Sequence, residues 1–144
     1  MVTKYFFSLY LIIFKKKPVM KNVFLGVDHP AIAAKEVEKL AQWYCDVLGY
    51  EIIAVTAKPE YIIKAPDGSF IEVLPIDDSP RPQRTVQTPG FSHLAFRVSD
   101  MDVAMAELDK HNVPWLGPEF NAAGGGRIRS FYDPEGNMLQ IVQR

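Results

Sequence analysis

His29, Glu72, His93 and Gln140 are the residues of this 144-residue chain whose types and spacing could do chemistry. Two imidazoles, a carboxylate and an amide oxygen form an N₂O₂ donor set. Such a set suits one divalent ion (Zn, Ni, Co, Mn or Fe) and leaves open positions for water or substrate if the coordination is octahedral. It carries a single negative charge, so a divalent ion held by it stays net positive. That ion would polarise a carbonyl or stabilise an oxyanion. The alternative is that the four polar groups hydrogen-bond only to one another.

The elements that must position these four occur twice. The first half reads as a strand over Val23–His29, then a helix with Val37, Leu40, Ala41, Tyr44 and Leu48 on one apolar face. Glu36 and Glu38 stand in its first turn and Gly49 stops it. Strands follow at Tyr50–Thr56, Tyr61–Ala65 and Ser69–Leu74, the last two joined by a Pro66-Asp67-Gly68 turn. The second half repeats the plan. Phe91–Val98 is a strand, Ser99 or Asp100 an N-cap, and Met101, Ala104, Met105 and Leu108 a helix face ending near Asn112. Strands are then expected at Val113–Leu116, Ile128–Tyr132 and Asn137–Val142.

Two matches in the same order tie the halves together. His29-Pro-Ala-Ile aligns with His93-Leu-Ala-Phe, and Pro66-Asp-Gly-Ser-Phe-Ile-Glu72 aligns with Pro134-Glu-Gly-Asn-Met-Leu-Gln140. The four polar residues thus occupy the first and last strands of each half. Strand residues alternate faces, so Glu72 interrupts a face shared with Phe70 and Leu74, and Gln140 one shared with Met138 and Val142. If a pseudo-twofold axis relates the halves, the four converge. The fold class that follows is α+β: two tandem βαβββ modules forming a curled mixed sheet around a central cleft, one helix outside each.

With these residues in place, the chain resembles the vicinal oxygen chelate superfamily over about residues 22–144. The phrases Asp133-Pro-Glu-Gly-Asn-Met-Leu-Gln and Gly90-Phe-Ser-His-Leu-Ala-Phe-Arg-Val carry the resemblance alongside the His…Glu…His…Gln order. The superfamily includes glyoxalase I, methylmalonyl-CoA epimerase, extradiol dioxygenases, fosfomycin-resistance transferases and the metal-free bleomycin-resistance binders. One scaffold therefore hosts many chemistries. The resemblance implies metal ligation by His29, Glu72, His93 and Gln140. Gln140 departs from it, because most of these enzymes place a glutamate there, which in glyoxalase I also transfers the proton. An amide has no usable pKa for that role, so a glyoxalase reaction would lean on Glu72, the candidate catalytic base, or on a metal-bound hydroxide. Methylmalonyl-CoA epimerase has the same ligand types with Gln and Glu exchanged between halves.

The expected function is a small metal-dependent enzyme of the glyoxalase type, moving a proton on a small carbonyl or hydroxy substrate in a lactoylglutathione-lyase-like or epimerase-like reaction. The alternatives are a metal-free sequestering protein of the bleomycin-resistance type and an extradiol-dioxygenase-like iron enzyme using His29, His93 and Glu72. The resemblance also implies a homodimer.

Other residues invite weaker readings. Asn121-Ala-Ala-Gly-Gly-Gly-Arg127 lacks the Lys-Ser/Thr ending of a phosphate loop and precedes a strand, so it reads as a flexible lid. Arg127 and Arg129, alternating onto one strand face, could hold a substrate carboxylate or phosphate or form a solvated edge. Cys45 reads as packing, His111 as local structure, and Tyr61, Phe70 and Trp115 as core.

Composition sets the frame. With 48% hydrophobic and 12% aromatic residues the chain can bury a core, and one cysteine excludes an internal disulfide framework. Residues 1–19 stand apart as an extension outside the fold, with an apolar run from Tyr5 to Phe14 between lysines. About 20 apolar residues are needed to span a bilayer, so no spanning helix is expected there, and a cytoplasmic protein is. Without that extension's four lysines, the domain over 20–144 keeps 12 basic against 17 acidic residues, which argues against nucleic acid. Within it, module 1 covers about 22–75, a linker 76–90 and module 2 about 90–144.

Overall fold

The computed structural model describes residues 26–80, 82, 85 and 87–144; the 1–19 extension and the start of the expected first strand lie outside these. The element order is β1 (Ala31–Ala34), α1 (Val37–Leu48), β2 (Glu51–Val55), β3 (Tyr61–Lys64), β4 (Phe70–Pro75), β5 (Leu94–Arg97), α2 (Met101–Lys110), β6 (Phe120–Asn121), β7 (Arg127–Tyr132) and β8 (Met138–Gln143). These strands form two four-stranded sheets with the same plan, β1-β4-β3-β2 and β5-β8-β7-β6. In each, the first strand pairs parallel to the last while the others pair antiparallel. The expected α+β duplication is therefore present in both topology and order. The sheets are not closed into one: among the described residues, no strand of either pairs with a strand of the other.

Two expected strands differ in place. The first begins at Ala31, after 26–29, the described part of the expected span, because Pro30 has no N–H and holds His29 out of the ladder. The Pro30 carbonyl nevertheless accepts from Glu72 N at 3.1 Å, which fixes the histidine's approach to β4. The strand expected over Val113–Leu116 is reduced to a single bridge from Trp115 to Phe131, and the sheet's edge is the two-residue β6. Pro114, Pro118 and Gly117 (φ 82°) interrupt this segment.

The helices fold as their faces predict. Val37, Leu40, Ala41 and Tyr44 are the buried residues of α1, and Gly49 ends it in the left-handed region at φ 73°. Asp100 caps α2 by accepting from Val103 N at 2.9 Å. One apolar cluster joins both modules: Leu40 and Tyr44 of α1, Ile63 and Val73 of sheet 1, and Met101, Phe131 and Leu139 of module 2. Edge-on aromatic contacts run from Tyr44 to Tyr50 (5.8 Å) and on to Phe96 of β5 (6.3 Å).

The β7–β8 turn also grips α1. Glu135 Oε1 accepts from Glu36 N at 2.9 Å, satisfying one orphan donor at the helix start. The buried Tyr44 hydroxyl donates to Asp133 Oδ2 at 3.2 Å. Burial pushes the Asp133 carboxyl above its usual range, against the lowering pull of the turn's hydrogen bonds. Among the described residues, no helix is long and apolar enough to cross a membrane.

Candidate metal centre

Each sheet has one face toward the helices and one away from them, and the candidate ligands lie on the latter. On β4, Ile71 and Val73 point into the core, so Glu72 lies on the outer face, with Ala31 of β1 and Ile62 of β3 directly beside it. On β8, Leu139 and Ile141 point inward, which puts Gln140 outward beside Ala95 of β5 and Ser130 of β7. The two ladders are equivalent: Ala31 opposes Glu72 as Ala95 opposes Gln140, and a histidine stands two residues before each alanine.

Both histidines are held the same way. His29 Nδ1 lies 2.6 Å from Asp28 Oδ1, and His93 Nδ1 lies 3.1 Å from Ser92 Oγ. In each case the side chain of the preceding residue engages Nδ1 and Nε2 lies on the far side of the ring, an arrangement that supports a metal-bound imidazole. Asp28 raises the His29 pKa above its ordinary value, partly opposed by desolvation and helped by Glu72. Asp28 and Ser92 were not singled out in the sequence. The signal was available, since they occupy equivalent positions once the halves are aligned.

The first half presents a two-donor site. His29 Nε2 and Glu72 Oε2 stand 3.7 Å apart. Two ligands each about 2.1 Å from an ion are separated by roughly 3.0–3.5 Å at octahedral to tetrahedral angles, so the pair fits a divalent metal with a small closure. In the second half, the buried Gln140 donates through Nε2 to Ser130 Oγ at 3.0 Å, which turns its carbonyl oxygen to other use. His93 stands exposed at the rim. Among the described residues, no three His, Cys, Asp or Glu side chains gather closely enough to hold an ion. Within one chain His29 meets Glu72, and among the described residues His93 does not join them in such a group.

Arg127 and Arg129 lie on the face of β7 opposite Ser130 and Gln140. Arg127 pairs with Asp102 of α2 and with Glu119, both at 2.7 Å. The Arg129 guanidinium covers the Trp115 ring at 4.2 Å and donates to the Gly117 carbonyl at 3.3 Å. Their forks are taken by the protein itself. The glycine loop is fastened too: Arg144 donates to the Ala123 and Gly125 carbonyls at 2.8 and 3.2 Å. Cys45 has its thiol pKa raised by burial, as a packing role requires.

Residues 26–141 match the family model of the Glyoxalase/Bleomycin resistance protein/Dioxygenase superfamily. The uncharacterized protein YaeR of Escherichia coli (strain K12) is 30% identical over 128 residues, covering 82% of this chain and 95% of that protein. A lactoylglutathione lyase from Agrobacterium tumefaciens superposes with a TM-score of 0.65 at 17% identity, over 84% of this chain and 95% of that one. A mutant of the fosfomycin resistance protein FosX from Listeria monocytogenes, complexed with Mn(II) and 1S,2S-dihydroxypropylphosphonic acid, superposes with a TM-score of 0.64 at 20% identity. That match covers 83% of this chain and 90% of that one. At these identities the structural likenesses speak for the fold.

Proposed function

The chain belongs to the Glyoxalase/Bleomycin resistance protein/Dioxygenase superfamily, and from that premise we propose that it is a metal-dependent enzyme of the glyoxalase type acting on a small carbonyl or hydroxy substrate by proton transfer. The observation that carries this reading is the paired support of the two histidines, each engaged at Nδ1 by the side chain of the preceding residue. His29, Glu72, His93 and Gln140 are the residues that would hold one divalent ion. The ion, when bound, supplies Lewis-acid polarisation of a carbonyl oxygen.

The remaining chemistry falls to the chain. Glu72 is the group that accepts a proton from the carbon beside the carbonyl and returns it, since the Gln140 amide has no usable pKa. Ser130 keeps the Gln140 amide oriented. Asp28 and Ser92 orient the imidazoles through Nδ1.

The site is completed in a homodimer, where the ligand face of module 1 in one copy meets that of module 2 in another. Two observations support this: among the described residues His93 does not cluster with His29 and Glu72, and none of Ala31, Ala33, Ile62, Phe70, Glu72 and Leu74 on the ligand face of sheet 1 is buried.

Metal analysis of purified protein tests both parts. His29→Ala and His93→Ala are each expected to lose the metal. Unfolding and refolding the two variants together should restore about a quarter of the wild-type sites. Half of the dimers would then be mixed, each with one intact and one doubly broken site. Equal metal content in both variants and the wild type would sink the ligand assignment. No recovery on mixing would sink the shared site. Loss of metal binding altogether, with stabilisation by drug-like aromatics, would favour a sequestering protein.

A further inference from the structure

The repeat allows one module to be subtracted from the other, and what is left over points to the substrate. On the ligand faces, Ala33 of module 1 corresponds to Arg97 of module 2, Leu74 to Val142, and Ile62 to Ser130. Ser130 is accounted for by its bond to Gln140. Arg97 is not. It is exposed on β5, and among the described residues its guanidinium has no partner. Arg127, Arg129 and Arg144 all spend theirs within the fold.

The face around Arg97 is graded. His93, Ala95 and Arg97 lie along one side of the strand run, with Met138, Gln140 and Val142 opposite them. At about 3.3 Å per residue, the His93 and Arg97 Cα atoms are about 13 Å apart, and the arginine stem shortens the gap between the functional ends. Between them lies exposed Ala95, which offers no bulk. Opposite Arg97 stands Val142, which joins Ala122 and Ile128 in a small buried apolar cluster. Across β5, β7 and β8 this face carries no carboxylate, so the cation is not neutralised locally. The face thus runs from His93 and Gln140, past the small Ala95, to a fork suited to two anionic oxygens and flanked by apolar surface.

We propose that Arg97 is a specificity residue that binds the anionic end, carboxylate or phosphate, of a substrate whose carbonyl or hydroxyl oxygen lies at His93 and Gln140. The substrate class is therefore a small oxo or hydroxy acid, or the matching phosphate, with a short carbon skeleton between its two ends. This deepens the proposed function and rests on it for the identity of the oxygen-binding end. A neutral ketone binds without the arginine, and the anion adds affinity at Arg97 alone.

The test is equilibrium binding of 4-oxopentanoate, dihydroxyacetone phosphate and the neutral methyl 4-oxopentanoate to full-length wild-type, Arg97→Ala and Arg97→Lys protein. Metal content is read on the same samples. The wild type is expected to prefer at least one anion to the ester by about tenfold, the worth of one charge-assisted contact. Arg97→Ala should lose that preference while keeping its affinity for the ester and its metal, and Arg97→Lys should recover part of it. Whichever anion is favoured identifies carboxylate or phosphate. An unchanged preference in Arg97→Ala, or a wild type that does not prefer either anion, overturns the proposal. The two readings separate cleanly. A metal-free wild type with an Arg97-dependent preference upholds the arginine and counts against the metal enzyme, whereas a metal-loaded protein without the preference overturns the arginine alone.

Discussion

The Tyr44 hydroxyl donates to the Asp133 carboxylate across 3.2 Å, joining residues 89 positions apart and, with them, the helix of one module to the last turn of the other. Both groups are buried, and Asp133 also accepts from Glu135 N and Asn137 N, so this carboxylate organises its turn and anchors α1 at once. A hydrogen bond placed in this way is worth more than an exposed one, because losing it strands a buried polar group.

Tyr44→Phe keeps the ring and its packing and removes only the hydroxyl. It should lower stability by about 1–3 kcal/mol, the cost of a buried bond to a charged acceptor. Urea unfolding measures this, and a midpoint equal to that of the wild type would show that the link contributes nothing.

Asp28→Ala and Ser92→Ala leave all four candidate ligands in place and free Nδ1 of one histidine each. Either should weaken divalent-metal affinity by about 10–100-fold with little change in folding. Competition with a chromogenic chelator reads the loss. Affinity unchanged in both variants would mean that the imidazoles need no such support.

The Arg127 fork lowers the pKa of Glu119 and of Asp102, mainly through its hydrogen bonds. A carboxyl lowered in the folded state contributes stability that is present above the ordinary carboxylate range and is lost as pH falls through the lowered values. Stability of the wild type should therefore drop on acidification more steeply than that of Arg127→Ala, and added salt should narrow the difference, since these groups are solvent-accessible. Parallel acid limbs for the two proteins would contradict this.

Gly126 takes φ 97°, and a Cβ there would lie 2.1 Å from the Gln143 carbonyl oxygen; at Gly125, with φ 94°, it would meet nothing. Both alanine substitutions carry the left-handed backbone cost of about 1–2 kcal/mol. Gly126→Ala should cost distinctly more, because the backbone of β8 must also move. Thermal unfolding of the two variants side by side decides it, equal losses going against the close approach.

Much of this protein is written in its sequence because the duplication is. Matching His29 with His93 and Glu72 with Gln140 anticipates the paired ladders Ala31–Glu72 and Ala95–Gln140, two residues along from the histidines. Apolar spacing likewise identifies the buried faces of α1 and α2. What escaped was set by tertiary packing. Alternation puts Arg127 and Arg129 on one face but does not say which, and that face turned out to look at Asp102, Met105 and Trp115. The glycine run suggested a flexible lid, whereas Arg144, just past the neighbouring strand β8, fastens the loop. Convergence of the four candidate ligands depends in turn on how α1 and the β7–β8 turn set one module against the other.

The two ligand faces also differ in polarity. Asp28 and Glu72 bring two carboxylates to His29, while the face of module 2 carries the uncharged Ser92, which contacts His93, the Ser130–Gln140 pair and the cation of Arg97. Brought together, the halves would set up an electrostatic gradient from negative to positive along the line from module 1 to module 2. Negative charge developing on a bound oxygen would be repelled from the first half and drawn toward the second, so a substrate would have one orientation in the site rather than two.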